Sequence, residues 1–291
     1  MRAGSASRTA VLVCQGRAAA DGRIAPDVFH DPVAMELLRP DERVPVQWVR
    51  DGAQPKAWAD RMAYESVRAC ASLMVPRTVA IDQALAAHVC PQLVVLGAGL
   101  DDRAWRMTEL VDVDVYEVDH PDSQRDKQDR VGERVPASRS VRHVAVDFAR
   151  DPLGARLSSA GHDAAVPTVW LWEGVVPYLT TAQVVETVLT VERRSAPGSR
   201  LVVAYQSPSL RASVGMVAAR VMTAMARQRS VWADEPRRSS WTADSMRDLL
   251  AGHGFVVTSD EDLRTVAERI GAPLTHARSA ASGRVAVADR T

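Results

Sequence analysis

The stretch from Gln92 to Pro121, QLVVLGAGLDDRAWRMTELVDVDVYEVDHP, limits the possible folds more than any other part of the chain. Its apolar, β-branched run Leu93-Val94-Val95-Leu96 has the length of a buried parallel strand. The run breaks at Gly97-Ala98-Gly99, and a helical pattern takes over at Ala104. A strand that ends in glycines and passes into a helix lets a ligand approach the backbone at the strand's carboxyl end. Roughly twenty residues on, a second apolar strand, Val113 to Val118, carries Glu117 and Asp119. An acid at that place accepts both hydrogen bonds of a ribose diol, the geometry of an adenosine-containing cofactor in a doubly wound sheet. A strand-turn-helix with no ligand is the simpler alternative, and the acid outweighs it.

The turn also says which adenosine cofactor is meant. A dinucleotide pattern needs a third glycine where Asp102 stands. Asp101 and Asp102 would repel a pyrophosphate, which seeks a helix N-terminus free of negative charge. A cofactor without phosphate and with a cationic centre fits better, and S-adenosylmethionine has both a sulfonium and an ammonium.

Composition sets the outer limits. At 291 residues the chain has room for one large α/β domain with additions or for two small ones. Thirty-six basic residues balance thirty-six acidic ones, so no net field draws it to nucleic acid or membrane. Cys14, Cys70 and Cys90 are odd in number and far apart, which points to a reducing compartment and away from a metal site or disulfides. No apolar run approaches ~20 residues and none resembles a signal peptide, so a cytoplasmic location is expected.

Ahead of the glycine strand, residues 9 to 40 read as helix, turn and helix, with Thr9 and Asp31 as caps and Pro32 at a first helical position. Arg17 sits among alanines in the first helix, as a solvated or a functional arginine alike. Residues 40 to 60 read as a mobile loop whose Trp48 and Trp58 either cover something or lie on the surface. Asp60 to His88 is helical with an interruption at Pro76, which places Arg77 near a helix start; an exposed arginine is the simpler account, an anion beside it the alternative.

Beyond the second strand, Pro121 begins a polar helix, DSQRDKQDRVGERV, with mixed charges expected in solvent. Val141 to Val146, Pro167 to Trp172 and Arg200 to Tyr205 read as further strands. Asp147-Phe148 and Glu173 then fall at strand carboxyl ends that line one crevice. Pro208 to Arg229 reads as a helix whose stripe, Val214 to Met225, packs in the core or roofs an acceptor pocket. A helix from Trp241 to Ala251, strands at Phe255–Thr258 and Arg284–Asp289, and a helix over Leu263–Pro273 complete the chain.

Taken together, the Arg17-Ala18 helix with Asp31-Pro32, the piece Arg77 to Asp82, LGAGLDDRAWRM, YEVDHP, Asp147-Phe148 and EGVVPYL resemble the leucine carboxyl methyltransferase family, in the correct order over about residues 9 to 206. The likeness is to its bacterial branch of natural-product carboxyl methyltransferases. It implies an α/β Rossmann-like methyltransferase fold: a seven-stranded, mostly parallel sheet with a reversed last strand, N-terminal helices and a helical lid insertion at about 207–240. Residues 1–88 would form the cap and 89–291 the cofactor domain. The resemblance gives Arg77 the cofactor carboxylate, with help from Arg17, and lets the methionine part lie on Gly97, Ala98 and Gly99, with Asp101 and Arg103 in the same loop. It gives Asp119, or else Glu117, the ribose hydroxyls; Asp147 and Phe148 the adenine; Glu173 the ammonium; and Tyr178 a place beside the acceptor. Asp102 and Trp105 depart from the threonine and tyrosine common in bacterial relatives, and Ala20 replaces their glutamate after the Arg17-Ala18 pair.

The expected activity is O-methylation by S-adenosylmethionine, leaving S-adenosylhomocysteine. The acceptor would be a carboxylate of a small molecule, such as a polyketide or other secondary metabolite. An ionised carboxylate needs no general base, and none of the seven histidines stands in an obvious catalytic setting. A hydroxyl acceptor, a non-catalytic S-adenosylmethionine binder and a nicotinamide-dependent reductase are the alternatives. No metal is expected, and the oligomeric state, monomer or homodimer, stays open.

Overall fold

In a computed structural model of the chain, residues 7–148, 150–208, 238–275 and 277–291 are described. The expected helical insertion with its Val214–Met225 stripe, and His276, lie outside them.

The N-terminal helices are α1 (Arg8–Ala20), α2 (Ala34–Leu37), α3 (Pro40–Asp51) and α4 (Trp58–Ala86). Strands and helices then alternate: β1 (Gln92–Leu96), α5 (Arg103–Arg106), β2 (Asp114–Asp119), α6 (Pro121–Val131), β3 (Ser140–Ala145), α7 (Leu153–Ser159), β4 (Thr168–Trp172), α8 (Thr181–Arg193) and β5 (Arg200–Gln206). After them come α9 (Ala243–Ala251), β6 (Phe255–Asp262), α10 (Leu263–Arg269) and α11 (Ala277–Ala280), with β7 (Gly283–Arg290) last.

The seven strands form one sheet in the order β3-β2-β1-β4-β5-β7-β6. Neighbours from β3 to β5 are parallel, and β7 runs antiparallel to both β5 and β6. The Rossmann-like sheet with a reversed last strand is therefore present. Strand alternation divides the core in two. Leu93, Val95, Val115, Leu171 and Val202 face α1 and α4, whereas Val94, Tyr116, Val118, Trp170, Trp172 and Val203 face α7, α8 and α9. Burying both faces explains the unbroken apolar runs of β1 and β4. The first core cluster runs without a break from Leu12 and Val75 to Leu93 and Val202, so the N-terminal helices share the sheet's core.

Four local expectations are corrected. The stretch read as a mobile loop at 40–60 is mostly helical: Pro40 occupies the first turn of α3, Glu42 accepts the Arg39 N–H at 2.8 Å, and Gly52 ends the helix in the left-handed region. Trp58 lies on the surface, 59% exposed. Pro76 does not interrupt α4, whose buried Val75, Val79 and Ile81 hold it straight through, so Arg77 lies mid-helix and the helix-start argument lapses. Ser7, not Thr9, caps α1. The polar helix α6 is not simply solvated, since Gln124, Asp126 and Lys127 are buried. Its Asp126 and Arg130 meet Arg39 and Glu42, which fastens α6 to the N-terminal helices.

Candidate functional site

The parallel strands place their carboxyl ends along one edge, and the strand order reverses direction between β1 and β4, where a crevice opens in sheets of this kind. At the end of β1 the amides of Gly97 and Ala98 both donate to Val118 O, at 2.7 and 3.0 Å, which bends the chain sharply. Gly97 has φ +72°, and a Cβ built on it would lie 2.0 Å from Val175 Cγ2. Only glycine fits there. Gly99 is pressed from the other side by Ala10 of α1, 3.1 Å from where its own Cβ would stand.

Asp119 closes the turn. Its Oδ2 accepts from Gly99 N and its Oδ1 from His120 N, each at 2.6 Å. Burial pushes its carboxyl above the ordinary value, opposed by those two backbone hydrogen bonds. Each oxygen keeps lone pairs, so a diol in the crevice can still be accepted. Glu117 has a different setting. It is fully buried with Lys127 Nζ 2.6 Å from its Oε1, and Lys127 also lies over the Trp105 ring at 5.0 Å. That Lys127 is one of only two lysines was the sole sign of this pair along the chain.

Glu173, at the end of β4, sits between two guanidinium groups: Arg77 Nε lies 2.6 Å from Oε1, and Arg103 Nη1 lies 2.8 Å from Oε2. Although burial alone would raise it, the neighbouring Arg77 and Arg103 bring the Glu173 carboxyl down to about 2. Arg103 also reaches Asp82 at 2.7 Å and contacts Asp101. Arg106 continues the chain of charges to Asp82 at 2.8 Å and Asp102 at 2.9 Å. Arg17 joins from α1, donating to Asp31 at 2.7 Å, Asp102 at 3.0 Å and Leu100 O at 2.7 Å. It is thus buried against the glycine loop, and the solvated reading is excluded. Asp82 and Arg106 are the members that motif spacing did not single out.

Asp147 and Phe148 follow β3; Val146 N donates to Asp119 O at 2.8 Å, which brings them alongside the end of β2. Phe148 packs with Val175 against the second core cluster. Tyr178 is half-buried in a short 3₁₀ turn, Val176–Tyr178. Arg238 N and Ser239 Oγ bond Pro177 O and Val176 O, so the chain on the far side of residues 209–237 returns beside Tyr178.

These groups fit the amino-acid and ribose parts of S-adenosylmethionine. Arg77 Nε is buried and, among the described residues, lacks an aligned hydrogen-bond acceptor despite its closeness to Glu173. Arg77 and Glu173 side by side mirror a carboxylate and an ammonium. No group of His, Cys, Asp and Glu among the described residues could hold a metal ion, and no helix among them is long and apolar enough to cross a membrane.

Comparison with known proteins agrees with the fold. A putative S-adenosyl-L-methionine-dependent methyltransferase of Mycolicibacterium vanbaalenii is 31% identical over 277 residues, covering 94% of this chain and 89% of that one. Another, from Saccharopolyspora erythraea, is 36% identical over 197 residues, 67% of this chain and 66% of that one. Among solved structures, a DUF574 family protein from Streptomyces avermitilis superposes with a TM-score of 0.60 at 12% identity over 99% of both chains, a likeness of fold. The leucine carboxyl methyltransferase family matches residues 10–192. The chain belongs to that family, whose members are S-adenosylmethionine-dependent methyltransferases.

Proposed function

We propose that this S-adenosylmethionine-dependent methyltransferase transfers the methyl group to a carboxylate oxygen of a small molecule, forming a methyl ester. The bound cofactor would supply an activated methyl group on a sulfonium. Arg77 would take its carboxylate, Glu173 its ammonium, Asp119 its ribose diol, and Asp147 with Phe148 its adenine. Gly97, Ala98 and Gly99 would give the close backbone approach. Tyr178 would position the acceptor. Holding the two reactants in line can supply about 7–11 kcal/mol of the barrier, enough to make positioning the chief task of the protein.

The observation that carries the carboxylate reading is the placement of the histidines. His162 is buried against Thr168 and Arg194, His253 pairs with Glu192, and His88 reaches Gly198 O. His143 lies beside Glu117, and His120 caps α6. Each of these five is engaged in a contact of its own, whereas a hydroxyl acceptor calls for a base within hydrogen-bond reach of it.

The test is methyl transfer from radiolabelled S-adenosylmethionine to a panel of carboxylic acids, phenols and alcohols. Label that mild alkali releases as methanol is the expected product. Alkali-stable label alone would assign a hydroxyl acceptor. Tight cofactor binding with no transfer to any acceptor would favour a non-catalytic member.

A further inference from the structure

Arg77 and Arg103 hold the same carboxylate, yet they are not equivalent. The Arg77 side chain is 16% exposed, and among the described residues the one carboxylate it meets is Glu173. The Arg103 side chain is 2% exposed and is tied at once to Asp82, Asp101 and Glu173. Asp82 is in turn held by Arg106. A side chain fastened by three anions and shut from solvent cannot turn toward a ligand without leaving at least the buried Asp101 uncompensated. Arg77 has no such ties.

We infer that Arg103 is a positioning residue: it keeps Glu173 ionised and aimed into the crevice, so that Arg77 is free to leave Glu173 and meet the carboxylate of the cofactor. The inference rests on the cofactor assignment above. Arg103 then acts on binding through Glu173 and makes no contact with the ligand. When the ligand's ammonium arrives, Glu173 exchanges Arg77 for the ammonium while its bond to Arg103 is kept. The charge around Glu173 is balanced throughout, because Arg77 gains a carboxylate at the same moment.

The groups that face Glu173 are Arg77 from α4, Arg103 from α5 and, farther off, Arg17 from α1; Asp101 and Asp82 stand behind Arg103. With both near guanidinium groups in place, the carboxyl lies near 2, so ligand binding through it should not change with pH above about 5. Without Arg103 the buried carboxyl loses one of its two cations, and desolvation raises it toward neutrality.

The test is calorimetric titration with S-adenosylhomocysteine between about pH 8 and pH 5.5. The proteins compared are wild type, Arg103→Met, Glu173→Gln and the double variant. Arg103→Met should lose roughly tenfold more affinity than wild type on going to the acid end, as expected for a carboxyl whose pKa comes to stand about one unit above that acid end. The double variant should follow the pH profile of Glu173→Gln and bind no more weakly than it. A uniform loss at all pH values, or losses that add in the double variant, would overturn the inference. Should Arg103→Met fail to fold, Arg103→Lys takes its place. It keeps the charge but cannot span three carboxylates, so a smaller acid tilt is expected and a flat profile overturns the inference. If wild type itself binds no S-adenosylhomocysteine, the cofactor assignment falls, and the inference with it.

Discussion

Asp119 Oδ2 accepts the backbone N–H of Gly99 at 2.6 Å, which ties the end of β2 to the glycine turn that follows β1. One carboxylate therefore shapes the loop and, in the proposed function, would also take the ribose diol. The two roles separate on substitution.

Asp119→Ala removes the acceptor for two backbone N–H groups, Gly99 and His120, and should destabilise the fold by about 1–3 kcal/mol. S-adenosylhomocysteine binding should weaken beyond what the lost stability accounts for. Glu117→Ala is the comparison: it strands a buried Lys127, so chemical denaturation should register a larger loss of about 3–5 kcal/mol. Unchanged affinity in folded Asp119→Ala would remove Asp119 from the ribose site.

Arg77→Ala should weaken S-adenosylhomocysteine by about 2–4 kcal/mol, because a charged pair is lost from a largely enclosed site. Stability should fall much less, since Glu173 keeps Arg103. Calorimetry and thermal melting together distinguish the two effects.

Arg17→Met leaves Asp31 and Asp102 buried beside each other with Arg106 as their remaining cation. A loss of about 3 kcal/mol in denaturant unfolding is expected. Arg17→Met/Asp31→Asn, with one of the two carboxyl groups gone, should recover part of it. No recovery would mean that the loss comes from packing in α1.

His162 gives a pH dependence with a definite sign. Arg194 donates to its Nδ1 and so places the ring proton on Nε2, toward Thr168; burial, with Arg194 adding to it, holds the imidazole down to about 4. The unfolded ring titrates near 6.5, so the unfolded state takes up a proton first as pH falls. The stabilisation is complete above about pH 6.5 and is lost between there and about pH 4, by roughly 2–3 kcal/mol. His162→Gln should flatten urea midpoints over that range. A slope equal to wild type would place the titrating group elsewhere.

Gly97→Ala combines a strained φ of +72° with a Cβ only 2.0 Å from Val175 Cγ2, and should cost about 2–4 kcal/mol or prevent folding. Val175→Ala should relieve the clash and leave the backbone strain of about 1 kcal/mol. Gly174→Ala, with a similar φ and open space around it, should show the strain alone. Melting temperatures of the four proteins check the separation.

Local patterns were enough for the chain's alternating architecture. Stretches of four to six residues bounded by turn residues located β1 to β5, and the glycine turn with an acid one strand later marked the junction that Asp119 closes on Gly99. Thr180 and Thr242 cap α8 and α9, each side chain accepting the backbone N–H three residues on. The strand order and the reversal of β7 were readable only through family resemblance, because pairing is a property of distant segments.

Local signals misled where tertiary contact overrode them. The polar stretch at 40–60 is helical because Val46 and Val49 meet the core and α6 supplies counter-charges for Glu42. The mixed charges of α6 looked like a solvated face, yet Lys127 is buried because Glu117 and Trp105 receive it.

What the amino-acid order determines by itself is thus the set of elements and the chemistry at their ends: short-range sterics make Gly97 bend, and burial on both faces makes β1 apolar. Only the tertiary structure decides what each arginine does. Arg17, Arg77 and Arg103 lie far apart in sequence but converge within a few ångströms on Asp102, Asp101 and Glu173. A buried charge takes its role from whichever opposite charge the fold brings to it, and no spacing along the chain encodes that partner.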